Sequence, residues 1–291
     1  RIARPGSDEF AFRGTDWLGR SRAVSTALSV RAFRDSRIAS PSAATNAYLG
    51  LGENALPLLA RPAALTGPVP GTVDCNWPLT QWNSPISSQE LRTAASQIGA
   101  GQSQLLTGRG FTDTALLGRG DLDSFRILHF ATHGLVTAPR RVCPARPALL
   151  TSFGAPGQSN GLLDFQEIFN LRLDADLVIL SACDTAGAAS ASETRAAGLS
   201  GQGGALDGLV RAFIGAGGRS VIASHWPAPD EYRATERLMT GLFAAPRGAS
   251  IGEALRRAQV ALMDQPETSH PFYWSGFALI GDGARPLIAT R

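Results

Sequence analysis

Two short apolar runs interrupt an otherwise mixed pattern of hydrophobic and polar positions. They are Phe125-Arg126-Ile127-Leu128-His129-Phe130-Ala131 and Asp176-Leu177-Val178-Ile179-Leu180-Ser181. Neither alternates strictly between apolar and polar, which predicts central strands of a parallel sheet covered on both faces. Each run leads into a residue that can do chemistry, His133 after the first and Cys183 after the second. Fifty positions (183 minus 133) separate the two, and they include a helix-like segment, Asp164 to Leu171. This spacing predicts a crossover connection between parallel strands that end on the same edge of the sheet. Neighbouring strands lie about 4.8 Å apart, so His133 and Cys183 can meet there as a Cys–His dyad. Open α/β sheets carry their sites at that carboxyl edge.

The rest of the chain alternates strand-like and helix-like segments. Strands are predicted at Ala23–Phe33, at Asn46–Leu51 (closed by Gly50 and Gly52), at Ser103–Thr107, at Arg219–Ser224 and at Phe277–Ile280. Ser87-Ser88-Gln89-Glu90 and Ser250-Ile251-Gly252-Glu253 have the capping-box pattern and open helices. Further helices are predicted from Thr112, over Ala205–Ala216 and over Glu231–Ala244. Three stretches read as irregular: Gly52–Ser87 with six prolines, Thr137–Gly161 with four, and Asp184–Gly204, almost wholly Ala, Gly, Ser and Thr. The alternation predicts a three-layer α/β/α sandwich with a mainly parallel central sheet.

Composition bounds this picture without changing it. The 291 residues are 44% hydrophobic and 18% charged, an ordinary globular balance. All 27 basic residues are arginine and the net charge is only +3 with no basic cluster, which argues against a nucleic-acid surface. No run of 18 apolar residues suggests a membrane span. Opening on Arg1, the chain reads as a fragment of a longer protein, with room for a targeting segment lost upstream. The three cysteines, 75, 143 and 183, are few and far apart. They argue against a disulfide framework and against a zinc site, and a reducing cytoplasm fits.

The stretches HFATHG and LSACDT resemble the CHAT domain, a member of the caspase-like cysteine peptidases. The resemblance runs on through GLVRAFIGAGGRSVIASHWP, IGEALRRAQ and HPFYWSGFALIGDG, strong from about Phe125 to Gly283 and thin before Ser88. It implies one caspase-like domain over residues 1–291, with 1–87 its weakly matched first part and 88–285 the catalytic part. It also implies that His133 and Cys183 are the catalytic pair and that the backbone N–H groups of Gly134 and Cys183 hold the oxyanion. No cofactor is called for. In such folds the strand after the nucleophile's helix borders the pocket for the residue before the cut. Ser224, His225 and Trp226 are therefore candidate substrate contacts, with Asp184 and Asp230 as nearby acids that would favour a basic residue there. Family members sit beside helical repeats or in bacterial defence and death systems, so an upstream regulator, an activator and a protein or peptide substrate are the expected partners.

Each candidate also has a plainer reading. Free cysteine is among the most buried residue types. Asp230 and Asp164 precede helices and are natural caps. His129 points to the same strand face as His133 but reads as a core histidine, and a metal pair of the two lacks a third ligand. His270 reads as structural. The run Gly198–Gly204 resembles a phosphate cradle but has neither of the nucleotide-binding spacings. The expected function is a cysteine endopeptidase. An inactive interaction module and a nucleotide binder are the competing readings.

Overall fold

The computed structural model describes residues 12–55, 75–135, 142–143, 146–154, 159–181, 206–226, 229 and 231–288. Six strands form the main sheet: β1 (Asn46–Asn54), β2 (Ser103–Gly108), β3 (Phe125–Ala131), β7 (Leu177–Ser181), β8 (Ser220–Ser224) and β9 (Phe277–Gly281). Their order is β2-β1-β3-β7-β8-β9, all parallel except the last pair. Both predicted catalytic strands are central neighbours, as the lack of alternation required.

Alternate residues of these strands feed two separate cores. Leu128 and Phe130 of β3, Val178 and Leu180 of β7, and Val221 and Ala223 of β8 pack on one face. Ile127, Leu177, Ile179 and Ile222 pack on the other. The first face is covered by α4 (Asp113–Leu117), α5 (Phe165–Phe169) and α6 (Leu206–Gly215), the second by α3 (Gln89–Ile98), α7 (Ala234–Phe243) and α8 (Ile251–Met263). The molecule is thus the expected three-layer sandwich. Among the described residues no helix is long and apolar enough to cross a membrane.

Local chemistry explains most helix starts. Thr112 accepts from the Ala115 amide, Ser250 from that of Glu253, and Asp164 and Glu167 close a reciprocal capping box. Gly50 and Gly52 lie inside β1 instead of closing it. Gly52 pairs with Ala131, and a Cβ there would fall 2.2 Å from the Ala131 carbonyl oxygen, so only glycine permits this approach.

Several expectations are corrected. Ala23–Phe33 is not a strand: only Thr26 bridges to Ile280, and α2 (Val30–Ile38) begins where Ser29 accepts from the Ala32 amide. The stretch 137–161 is not wholly irregular. Ala148–Leu150 forms β5, which joins β4 (Gly134–Leu135) and β6 (Leu162–Asp164) in a small antiparallel sheet. Three residues between prolines were too short a signal to read. Cys75 and Cys143 form a disulfide, with 5.5 Å between their Cα atoms, against the expectation of unpaired cysteines. Their 68-residue separation hid a contact made only when two proline-containing segments fold back beside each other.

Candidate active site

His133 lies at the junction of the two sheets. It follows β3 and directly precedes β4, and its carbonyl accepts from the Leu150 amide at 2.9 Å. The neighbouring Thr132 hydroxyl donates to the Leu150 carbonyl at 2.7 Å, so the backbone is tied on both sides of the imidazole's attachment point. The ring is tied as well, because its Nε2 lies 2.5 Å from the Ser84 carbonyl oxygen. A carbonyl can only accept, so Nε2 carries a proton. In the neutral ring that leaves the lone pair on Nδ1.

Ser181, the last residue of β7, pairs in register with Ala131, the last of β3. His133 and Cys183 each stand two positions beyond that pair. Cys183, Asp184 and the whole 184–204 stretch lie outside the described residues, as does Asp230.

A cavity of about 420 Å³ opens at this edge, within the range of small-ligand sites. His133, Ser84, Ser181, Glu90, Arg233 and Glu236 are among the residues that line it. The backbone around it is strained. Among the described residues, the non-glycine positions with positive φ are Glu53 (52°), Tyr232 (54°) and Arg233 (53°). Glu53, the last residue but one of β1, accepts from the Ser88 hydroxyl at 2.7 Å, while Tyr232 and Arg233 lead into α7. Such outliers persist only where surrounding contacts over-determine them, and they gather at functional sites.

Behind the cavity lies a buried polar chain. The Tyr48 hydroxyl is 2.9 Å from His129 Nδ1, and His129 Nε2 is 3.3 Å from Glu90 Oε1. His129 is fully buried, consistent with its reading as a core histidine. Burial, reinforced by the charge of Glu90, raises the Tyr48 phenol well above its ordinary value, so it stays protonated.

The other anticipated contacts lie outside the cavity lining. Ser224 is buried and pairs with Phe277. His225 is exposed, and its amide donates to the Gly276 carbonyl at 2.8 Å. Trp226 donates from Nε1 to the Phe272 carbonyl at 3.1 Å and stacks on that ring. His270 accepts from the Phe272 amide and starts a short helical turn.

Two contributors were missed from sequence. Ser84 acts through its backbone, which leaves no trace in residue type. Glu90 had been assigned to a capping box, yet α3 starts one residue later than that pattern requires, and Ser87 accepts from the Gln89 amide instead. Glu90 is thereby turned inward, only 6% exposed.

A mixed α/β sandwich with a histidine-lined cavity at the carboxyl edge of its parallel strands is the class that this fold and site define. The chain belongs to the CHAT domain family, whose model matches residues 3–282. It is 31% identical over 130 residues to tetratricopeptide repeat protein 28 of Mus musculus, a match covering 43% of this chain and 5% of that protein. The Homo sapiens protein of the same name is likewise 31% identical over 130 residues, covering 43% of this chain and 4% of its own length. The chain therefore spans only about a twentieth of the curated relatives it matches. Among solved structures, the complex of Porphyromonas gingivalis RgpB pro- and mature domains is 11% identical, with a TM-score of 0.44 over 82% of this chain and 47% of that one. The Arg specific cysteine proteinase gingipain R is 12% identical, with a TM-score of 0.44 over 82% and 46%.

Proposed function

We propose that this chain is a cysteine endopeptidase working through His133 and Cys183. The observation that carries the reading is the register of β3 and β7, which ends both strands level at Ala131 and Ser181, two residues short of the pair. His133 Nδ1 takes the thiol proton, and the thiolate attacks the carbonyl carbon of the scissile bond. The amides of Gly134 and Cys183 hold the resulting oxyanion. His133 then gives the proton to the leaving amine, and water, deprotonated by the same ring, hydrolyses the thioester. The Ser84 carbonyl holds the imidazole in the tautomer that this sequence needs.

Cysteine arithmetic supports the assignment: with Cys75 bonded to Cys143, Cys183 is the remaining thiol of three. The same bond favours an oxidising compartment over the reducing cytoplasm first expected. A protein substrate, a role in a bacterial regulatory, defence or cell-death pathway, and control by repeats elsewhere in a longer chain complete the reading.

Cleavage of a peptide library, followed by mass spectrometry, tests it. Cys183→Ala and His133→Ala should each lower turnover by about 10³-fold or more, and the double variant should be hardly worse. Undiminished cleavage by Cys183→Ala would sink the assignment. A wild-type protein that binds peptides without cutting them would point to the inactive interaction module instead.

A further inference from the structure

We propose that Glu90 forms the charged end of a pocket for a basic side chain, so that the site takes peptides with arginine or lysine before the cut, arginine preferred. This rests on the peptidase reading above. It moves the charge from Asp184 and Asp230 to a residue with no such role in the sequence reading.

Glu90 lines the cavity while being 94% buried (100 minus 6), and its Oε1 has no hydrogen-bond partner. A buried carboxylate oxygen without a hydrogen bond is rare in folded proteins and calls for an explanation. His129 Nε2 stands 3.3 Å from Oε1 without the geometry of a hydrogen bond. Arg233 has another partner. That guanidinium is engaged with Glu236 in a two-point fork of 2.7 and 2.5 Å. Among the described lining residues, these two opposite charges offset each other and one negative charge remains, that of Glu90.

The cavity joins this carboxylate to the reacting edge, since His133 and Ser181 line the same space. A substrate whose scissile carbonyl lies by His133 can send its preceding side chain into the cavity. A cation arriving there gives the Glu90 carboxylate a hydrogen-bonding partner of opposite charge. Guanidinium suits the role better than ammonium, because its planar fork meets both oxygens of a carboxylate. An acidic side chain would meet like charge in a desolvated place and be rejected.

The test uses two fluorogenic peptides that differ only by arginine or citrulline before the reporter, so that charge changes and shape does not. Wild type should favour arginine by about 10²-fold in kcat/KM, and Glu90→Gln should reduce that ratio to about 10-fold or less. Glu90→Asp, which keeps the charge on a shorter arm, should retain an intermediate preference and guards against a misfolded Gln variant. A second arm needs no turnover. Agmatine binding to Cys183→Ala, read by calorimetry, should weaken at least 10-fold when Glu90→Gln is added. Cleavage with equal rates for both peptides, or a preference for acidic residues, overturns the pocket and leaves the peptidase standing. Glu90-dependent agmatine binding without cleavage of any peptide overturns the peptidase and supports the pocket. Neither binding nor cleavage overturns both.

Discussion

The two edges of the central sheet are built on opposite principles. At the amino edge, charges are closed against one another. Arg126 meets Asp176 at 2.7 Å, Arg219 meets Asp174 at 2.6 Å, and Arg37 meets Asp282 at 2.9 Å. Backbone amides join them: Ser42 donates to Asp176 at 3.1 Å and Ala43 to Asp174 at 2.7 Å, and the buried atoms left there without a hydrogen bond, Arg219 Nη1 and Arg285 Nε, belong to arginines already paired with aspartates. At the carboxyl edge, by contrast, a carboxylate oxygen, Glu90 Oε1, faces His129 Nε2 at 3.3 Å with no hydrogen bond to either atom, and among the described residues three non-glycine positions hold positive φ. Strain at one end of a fold is offset by consistent interactions elsewhere. Dense arginine–aspartate pairing marks the edge that holds the sheet together, and backbone strain marks the edge that lines the cavity.

The strongest way to break this contrast is to open the closed edge. Asp176 lies within reach of Arg126, of Arg285 at 3.7 Å and of Arg219 at 3.9 Å, with its side chain only 6% exposed. Asp176→Ala leaves those guanidiniums short of a partner and should cost about 3–5 kcal/mol. Denaturant unfolding measures this, while kcat/KM well below the midpoint should stay near wild type. A large fall in kcat/KM with unchanged stability would mean that the two edges are not separate in role.

Next in size is the disulfide, which belongs to the open edge. Cys75 is nine residues before Ser84, whose carbonyl holds His133. Replacing both Cys75 and Cys143 by Ser should cost about 2–4 kcal/mol. Unlike Asp176→Ala, it should also lower kcat, because the Ser84 segment loses its tether. Unchanged kcat in the folded double variant would show that the imidazole needs no such support.

The smallest effect is one of pH. Burial pushes Asp174 up, but hydrogen bonds from Arg219, Ala43 and Ser42 and the charge of Arg219 outweigh it and hold the carboxyl below its usual range. A depressed carboxylate stabilises the fold above its unfolded pKa of about 3.9, and that stability is lost as pH falls toward the folded value. Asp174→Asn should therefore flatten the acid limb of the stability profile, by about 1 kcal/mol or less for this partly exposed pair. An unchanged limb would assign acid sensitivity to other groups.

What the sequence alone determined is local and periodic. The two unalternating runs named the central strands, their separation named the parallel crossover, and the residues after each run named His133 and Cys183 as candidates. These follow from burial on both faces and from strand geometry, which neighbouring residues encode. Only the tertiary structure decided the surroundings. The Ser84 carbonyl is a backbone acceptor common to every residue type, so no pattern announces that it orients an imidazole. The Cys75–Cys143 bond joins positions 68 residues apart, a proximity that spacing does not reveal. Glu90 stood in a plausible capping box, and a helix start shifted by one residue turned it from the protein's surface to the cavity. A helix turns about 100° per residue, so that single step decides which way a carboxylate faces, and only packing sets it.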